Sequence, residues 1–252
     1  MSRFDEIQEL VGEANRVADM ASLRRLMELA IRILGFDYFA LVHHVDLSRR
    51  PTDYVRLIHY PEAWKKISLE HAYYSDDPVL AASQKTSLPF LWSEVSRLIT
   101  LTDRQEKILA SARGAGVGDG LTVPVHIPGE YYGSCSFGTR TGREVPRDSV
   151  PLSQFVGGFA FEAARRVVEL HNPPRVPLDK PSRLSRRQID CLVLAGRGKS
   201  DRDIGTMLGI SGQTVHQHIE DAKRRYSVAT RQQLIVRALF DSQITFADLI
   251  NL

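Results

Sequence analysis

The chain has 252 residues, 43% hydrophobic and 25% charged, with a net charge of +3, the composition of an ordinary folded protein of one large or two unequal domains. Two cysteines, Cys135 and Cys191, fit no metal spacing and no disulfide framework, which favours a reduced compartment. No apolar run reaches the ~20 residues that span a bilayer, and the acidic, amphipathic start MSRFDEIQEL lacks an export signal, so a cytoplasmic protein with no membrane partner is expected.

From Ile7 to Val17 and from Leu23 to Leu34, apolar residues recur at three- and four-residue spacing, the pattern of amphipathic helices. Tyr38 to Val45 and Tyr54 to Tyr60 read as strands, and Thr102 and Gln105 form a capping box that opens a helix to about Arg113. Two more strands follow, Gly120 to His126 and Tyr131 to Phe137, joined by a turn at Pro128-Gly129. Ser149 to Leu170 reads as a long helix. Helices, strands and helices in this order predict an α+β fold, with residues 1–170 forming an α-β-α sandwich around an antiparallel sheet.

Residues 171–183, HNPPRVPLDKPSR, carry Pro173, Pro174, Pro177 and Pro181 and almost no large apolar side chain. Proline cannot continue a helix and biases its predecessor toward extended backbone, so this stretch predicts a semi-rigid linker.

Beyond it, residues 184–252 predict an all-α domain of four short helices. Three of them open with capping boxes, Ser185 with Gln188, Ser200 with Asp203 and Thr230 with Gln233, and the remaining one has Ser211 as its N-cap. The helices from Asp201 to Leu208 and from Gly212 to Tyr226 are separated by Gly209-Ile210-Ser211. A three-residue turn containing glycine is the spacing of a helix-turn-helix. The charge is uneven too: residues 181–252 hold 11 Lys and Arg against 7 Asp and Glu, leaving 22 against 23 elsewhere. A basic surplus there suits a domain that meets phosphates.

In the second helix Val215, His218, Ile219 and Ala222 share a face suited to a core. Thr214, His216, Gln217 and Glu220 lie in the N-terminal turns that such a helix presents to base edges in a major groove. Lys199, Lys223, Arg224 and Arg231 suit phosphates, which position a domain without reading sequence. Geometry alone also allows a small bundle with a solvated charged face.

The stretch LSRRQIDCLVLAGRGKSDRDIGTMLGISGQTVHQHIEDAKRRYSV closely resembles the LuxR-type helix-turn-helix, as does Arg231 with the helix after it. One position departs from that pattern: Gln188 stands where the family carries glutamate. Glutamine still caps, and the lost negative charge near a helix N-terminus is worth a few tenths to ~1 kcal/mol.

The first 170 residues lack the five β/α units of a phosphoacceptor domain. Instead Tyr60-Pro61-Glu62-Ala63-Trp64, Asp77-Pro78, Pro89-Phe90-Leu91-Trp92 and Gly120-Leu121-Thr122-Val123-Pro124-Val125 resemble the autoinducer-binding domain of quorum-sensing LuxR proteins, whose ligands are acyl-homoserine lactones. The resemblance implies a site in which the Trp64 indole donates to the lactone carbonyl and Asp77 accepts the amide N–H. In that site Tyr60 and Ser136 donate to the amide carbonyl, and Trp92 walls the ring, with Gly120 close by. The chemistry is consistent, because an indole only donates and an ionised carboxylate only accepts. Each residue also has a plain structural explanation. Trp64 and Trp92 suit a core, Asp77-Pro78 suits a helix N-terminus, and Gly120 suits close packing.

Ser68, four residues after Trp64, replaces the tyrosine the family usually carries along its acyl pocket. The exchange implies room for a bulky, branched or aromatic acyl group whose polar tip bonds Ser68. The resemblance further implies ligand-linked folding, a homodimer on a pseudo-palindromic promoter site and RNA polymerase as a partner, with no cofactor and no catalysis. Two alternatives stand beside it: a LuxR-type regulator of a non-lactone molecule, and a hydrolase using Cys135 with His126.

Overall fold

The computed structural model describes residues 2–47, 54–127, 130–171 and 183–250. The chain divides into two compact units, Met1–Pro173 and Pro174–Leu252. The four linker prolines and the Pro128-Gly129 turn lie outside the described residues.

The N-terminal unit opens with α1 (Arg3–Ala14), started by a capping box between Ser2 and Asp5, and α2 (Met20–Leu34), capped by Asp19. Leu23, Met27, Ala30, Ile31 and Leu34 of α2 are buried, as their spacing predicts. Five strands then form one antiparallel sheet: β1 (Tyr38–His43), β2 (Arg56–His59), β3 (Phe90–Leu91), β4 (Val117–Val125) and β5 (Gly133–Arg140), in the order β2-β1-β5-β4-β3. Between β2 and β4 lie α3 (Glu62–Glu70), α4 (Pro78–Ser83), α5 (Val95–Leu98) and α6 (Asp103–Gly114), and α7 (Val150–His171) closes the unit.

The sheet separates two environments by its period-2 alternation. Phe39, Leu41, Cys135 and Phe137 join Ile7, Met27, Val156, Ala160 and Phe161 of α1, α2 and α7 in the main core. Full burial of each large side chain stabilises by roughly 1.5–3 kcal/mol. The opposite face carries Ala40, Ser136 and Thr122, which meet in register across β1, β5 and β4. Two smaller apolar clusters cover that side, around Trp64, Ile108 and Val117 and around Val79, Phe90 and Val95. The expected α-β-α sandwich is therefore the observed one. Asp77-Pro78 marks the start of α4, whereas sequence patterning had not marked α5 or the two-residue strand β3.

Asp37, just before β1, ties together one end of the central strands β1 and β5. Its carboxylate accepts from the Arg140 backbone N–H (3.0 Å) and pairs with the Arg140 and Arg143 guanidinium groups (2.9 Å each). Burial raises its pKa, but the hydrogen bonds from Arg140 and both positive charges outweigh it and hold the carboxyl below its ordinary value. A depressed folded-state pKa stabilises above the unfolded value and is lost as pH falls through the folded one. Asp37→Asn is expected to destabilise by ~1–3 kcal/mol at neutral pH and by less in acid. Urea midpoints at pH 7 and pH 3 check this, and an equal loss at both would refute it.

The C-terminal unit holds α8 (Arg186–Gly196), α9 (Asp201–Leu208), α10 (Gly212–Arg225) and α11 (Arg231–Phe240). All three predicted capping boxes form, and Ser211 caps α10. Gln188 fills the glutamate position as argued, its Oε1 accepting from the Ser185 N–H at 2.9 Å. The expected four helices are joined by a fifth, α12 (Phe246–Ile250), which sits against α8 with Leu249 over Gly196. Cys191, Leu192, Ile204, Val215, Ile219, Ala222, Leu234 and Ala238 form the core, while His218 is half-buried at its margin.

Candidate functional site

Between the polar face of the sheet and the layer of α3 to α6 lies a cavity of about 170 Å³. That exceeds the ~150 Å³ engineered cavity known to admit benzene, so a small organic molecule fits. Tyr60, Trp64, Ser68, Asp77, Trp92 and Ser136 all line it, although they come from five separate elements and turns.

Asp77 precedes α4, where Pro78 occupies the first helical position and the Asp77 Oδ1 accepts from the Val79 N–H at 2.8 Å. Capping and cavity lining are thus compatible. Burial raises the Asp77 pKa, opposed by the Val79 and Leu80 backbone N–H groups. The Tyr60 hydroxyl is likewise pushed far up, by burial and by the nearby Asp77. Neither the Tyr60 hydroxyl nor the Trp64 indole N–H makes a hydrogen bond to a described residue. Trp64 is 9% exposed and packs beside Tyr73, with ring centroids 6.1 Å apart.

Trp92 opens a short 3-10 turn after β3, and its Nε1–H donates to the Thr122 Oγ1 at 2.8 Å. Thr122 and Ser136 hydroxyls are also 2.8 Å apart. The indole can only donate, so it occupies a lone pair of Thr122. When the Thr122 proton goes to Ser136, the Ser136 proton is left for the cavity. Sequence reading missed Thr122. The signal was present, since residues 120 and 122 alternate onto one face of β4.

Gly120 does not line the cavity. It pairs directly with Gly138 across β4 and β5, and the Trp92 ring lies over both. A Cβ on Gly120 would stand 2.7 Å from Trp92 Cζ2 and 2.5 Å from the Phe137 carbonyl oxygen. Its role is to let the indole rest on the sheet. Gly120→Ala is expected to displace Trp92 from Thr122 and destabilise by ~1–3 kcal/mol. A denaturation midpoint and a tryptophan emission spectrum both unchanged from the parent would refute this.

Cys135 alternates onto the other sheet face, fully buried in the main core, and burial raises its thiol pKa strongly. His126 Nε2 engages the Ser83 carbonyl at 2.9 Å. The two do not form a nucleophile–base pair.

In the C-terminal unit, Gly209 ends α9 in the left-handed conformation (φ 68°), and two residues later Ser211 starts α10. Thr214, His216, Gln217 and Arg224 are exposed on α10, with Lys199 exposed before α9. Glu220 pairs with Lys223 at 2.8 Å, and Asp221 takes both Gln217 (2.7 Å) and Arg224. Arg231 is the most committed of the expected phosphate contacts: it bonds the Asp201 carboxylate (2.8 Å) and the Lys199 carbonyl (3.1 Å). Asp201 also faces His216 at 3.4 Å, so three helices meet around it, while its bond to Arg231 is what ties α9 to α11. Sequence reading treated Asp201 only as the first residue of a helix.

Residues 19–164 match the family described as Autoinducer binding domain, and residues 182–238 match Bacterial regulatory proteins, luxR family. The chain is similar to the transcriptional activator protein AhyR of Aeromonas hydrophila, 25% identical over 241 residues that cover 93% of this chain and 90% of that one. It is also similar to the HTH-type quorum-sensing regulator RhlR of Pseudomonas aeruginosa, 25% identical over 232 residues, 88% of this chain and 89% of that one. Among solved structures, Escherichia coli SdiA aligns over 96% of this chain and 99% of that one, with a TM-score of 0.59 at 20% identity. SdiA in complex with octanoyl-rac-glycerol aligns over 95% and 96%, with a TM-score of 0.57 at 20% identity. These two show a shared fold. No helix among the described residues is long and apolar enough to cross a membrane.

Proposed function

The chain belongs to the LuxR family of bacterial regulatory proteins that carry an autoinducer binding domain, and from that premise we propose that it is an acyl-homoserine lactone receptor that binds a pseudo-palindromic promoter site as a homodimer. The observation that carries the reading is the convergence of Tyr60, Trp64, Asp77, Trp92 and Ser136 on one cavity. Their chemistry matches the ligand atom by atom. The unengaged Trp64 indole donates to the lactone carbonyl, Asp77 accepts the amide N–H, and the Tyr60 and Ser136 hydroxyls donate to the amide carbonyl. Trp92, pinned by Thr122, forms the wall beside the ring.

The domains of this reading are residues 1–170 for ligand, 171–183 as linker and 184–252 for DNA. Thr214, His216, Gln217 and Glu220 read bases, whereas Lys199, Lys223 and Arg224 hold phosphates. Arg231 braces the DNA-binding unit through Asp201 and offers its remaining N–H groups to the backbone. The protein works in the cytoplasm with RNA polymerase as a partner, and regulates rather than catalyses. Ligand binding to the native state stabilises it by RT ln(1 + [L]/Kd), about 2.7 kcal/mol at a hundredfold excess.

Ser68 favours a second reading, in which another acylated polar molecule takes the cavity. The complex of SdiA with octanoyl-rac-glycerol gives that reading a concrete form. Thermal unfolding against straight-chain, branched and aryl acyl-homoserine lactones, with octanoyl-glycerol alongside, separates the two. A rise of several degrees with a lactone class supports the first reading. A rise with the glycerol ester alone supports the second, and no rise with any compound overturns both.

A further inference from the structure

Among the polar groups along the cavity that the lactone contacts leave unused is His44. On β1, Ala40 and Val42 face the cavity, and His44, just past the strand, continues that alternation. The His44 backbone N–H is fixed by the Tyr132 carbonyl at 2.7 Å. Its Nε2 lies 3.0 Å from the Ser134 Oγ, while its Nδ1 is buried without a hydrogen-bond partner. Burial, with the neighbouring His43 and His126, lowers the imidazole pKa to about 4, so the ring is neutral at neutral pH. A neutral imidazole has one donor and one acceptor nitrogen, and leaving either buried and unpaired is unfavourable.

Ser134 stands two residues before Ser136 on β5, opposite Val42. At 3.3–3.4 Å per residue, the His44–Ser134 pair is ~7 Å further along the sheet than Ser136. We propose that His44 is a specificity residue that receives an oxygen carried on the distal part of the ligand's acyl group. The inference rests on the lactone reading, which places the amide carbonyl at Ser136. It deepens that reading by naming the acyl class: one with a hydroxyl or carbonyl roughly 7 Å beyond the amide. The tautomer adapts to either. If Ser134 donates to Nε2, Nδ1–H donates to a carbonyl; if Nε2–H donates to Ser134, Nδ1 accepts from a hydroxyl. Ser68, on α3 across the cavity, supplies the space for such a group.

The test uses the full chain and two ligand pairs: octanoyl against 7-hydroxyoctanoyl homoserine lactone, and phenylacetyl against 4-hydroxyphenylacetyl homoserine lactone. Calorimetric Kd values are expected to favour the hydroxylated member by about tenfold in at least one pair. His44→Leu should erase that preference while keeping affinity for the plain lactone. Ser134→Ala, which removes a small buried hydroxyl without touching the ring, should shrink it, and guards against a fold defect in the first variant. Equal affinity within both pairs in the parent, or a preference that survives in both variants, overturns the inference and leaves the lactone reading standing. Failure to bind any of the four lactones overturns the two together.

Discussion

Replacing Asp77 with asparagine is expected to remove the stabilisation that an acyl-homoserine lactone confers, while leaving the ligand-free fold intact. Asp77 has two duties, and the substitution separates them. As N-cap of α4 its Oδ1 accepts from the Val79 N–H, and asparagine caps about as well as aspartate. The ligand's amide N–H requires a second acceptor. Asparagine has a single carbonyl oxygen, already committed to Val79, so its NH2 group would face the ligand's N–H. The loss is a charge-assisted bond worth ~1.5–3 kcal/mol, plus the penalty of an unpaired buried donor. Affinity should therefore fall by about a hundredfold or more. Asp77→Ala loses the cap as well and should lower the ligand-free stability by a further ~1 kcal/mol.

The same carboxyl gives the binding a pH signature. Burial raises its pKa, so the ligand-free fold loses stability as pH rises from the ordinary carboxylate range through that raised value. A donor N–H favours the ionised form, so ligand affinity should fall as pH drops through it. Asp77→Asn should abolish both dependences. A variant that keeps the parent's Kd and its pH profile would show that Asp77 only caps.

Much of this was legible in the sequence because it rests on local chemistry. Capping boxes at Ser185, Ser200 and Thr230 marked three helix starts to the residue, since each needs only a side chain and an amide three positions on. Apolar spacing likewise pointed to α1 and α2. What stayed hidden depends on contacts distant in the chain. The pairing of Gly120 with Gly138 under Trp92, and of Thr122 with both Trp92 and Ser136, arises only when β4 and β5 are set in register. Asp201 looked like any acidic residue at a helix start until three helices met around it. β3 is two residues long, too short to show a period.

The helix-turn-helix offers the other large effect. Gly205→Val is expected to abolish DNA binding by breaking the turn itself, whereas His216→Ala should leave the fold in place and weaken base readout alone. Gly205 lies in α9, and its carbonyl accepts from the Ile210 N–H at 2.9 Å as the chain reverses. The reversal brings backbone against its Cα: a Cβ there would stand 2.7 Å from the Ile210 oxygen and 3.0 Å from the Gly212 nitrogen. Neither neighbour is a flexible side chain that can step aside. Overpacking against mobile side chains already costs ~1–3 kcal/mol, and a branched side chain against fixed backbone costs more. A unit of this size has little stability to lose. Because Gly212 begins α10, any shift that relieves the clash also moves Thr214 and His216. Fluorescence anisotropy on promoter DNA, with thermal unfolding of each variant, checks the pair. Gly205→Val should show no specific binding and an early transition, while its lactone response persists in the N-terminal unit. His216→Ala should melt with the parent and lose ~1–3 kcal/mol of discrimination at one base position. Undiminished binding by Gly205→Val would mean that the turn is not built as described, and undiminished specificity in His216→Ala would remove that side chain from the readout.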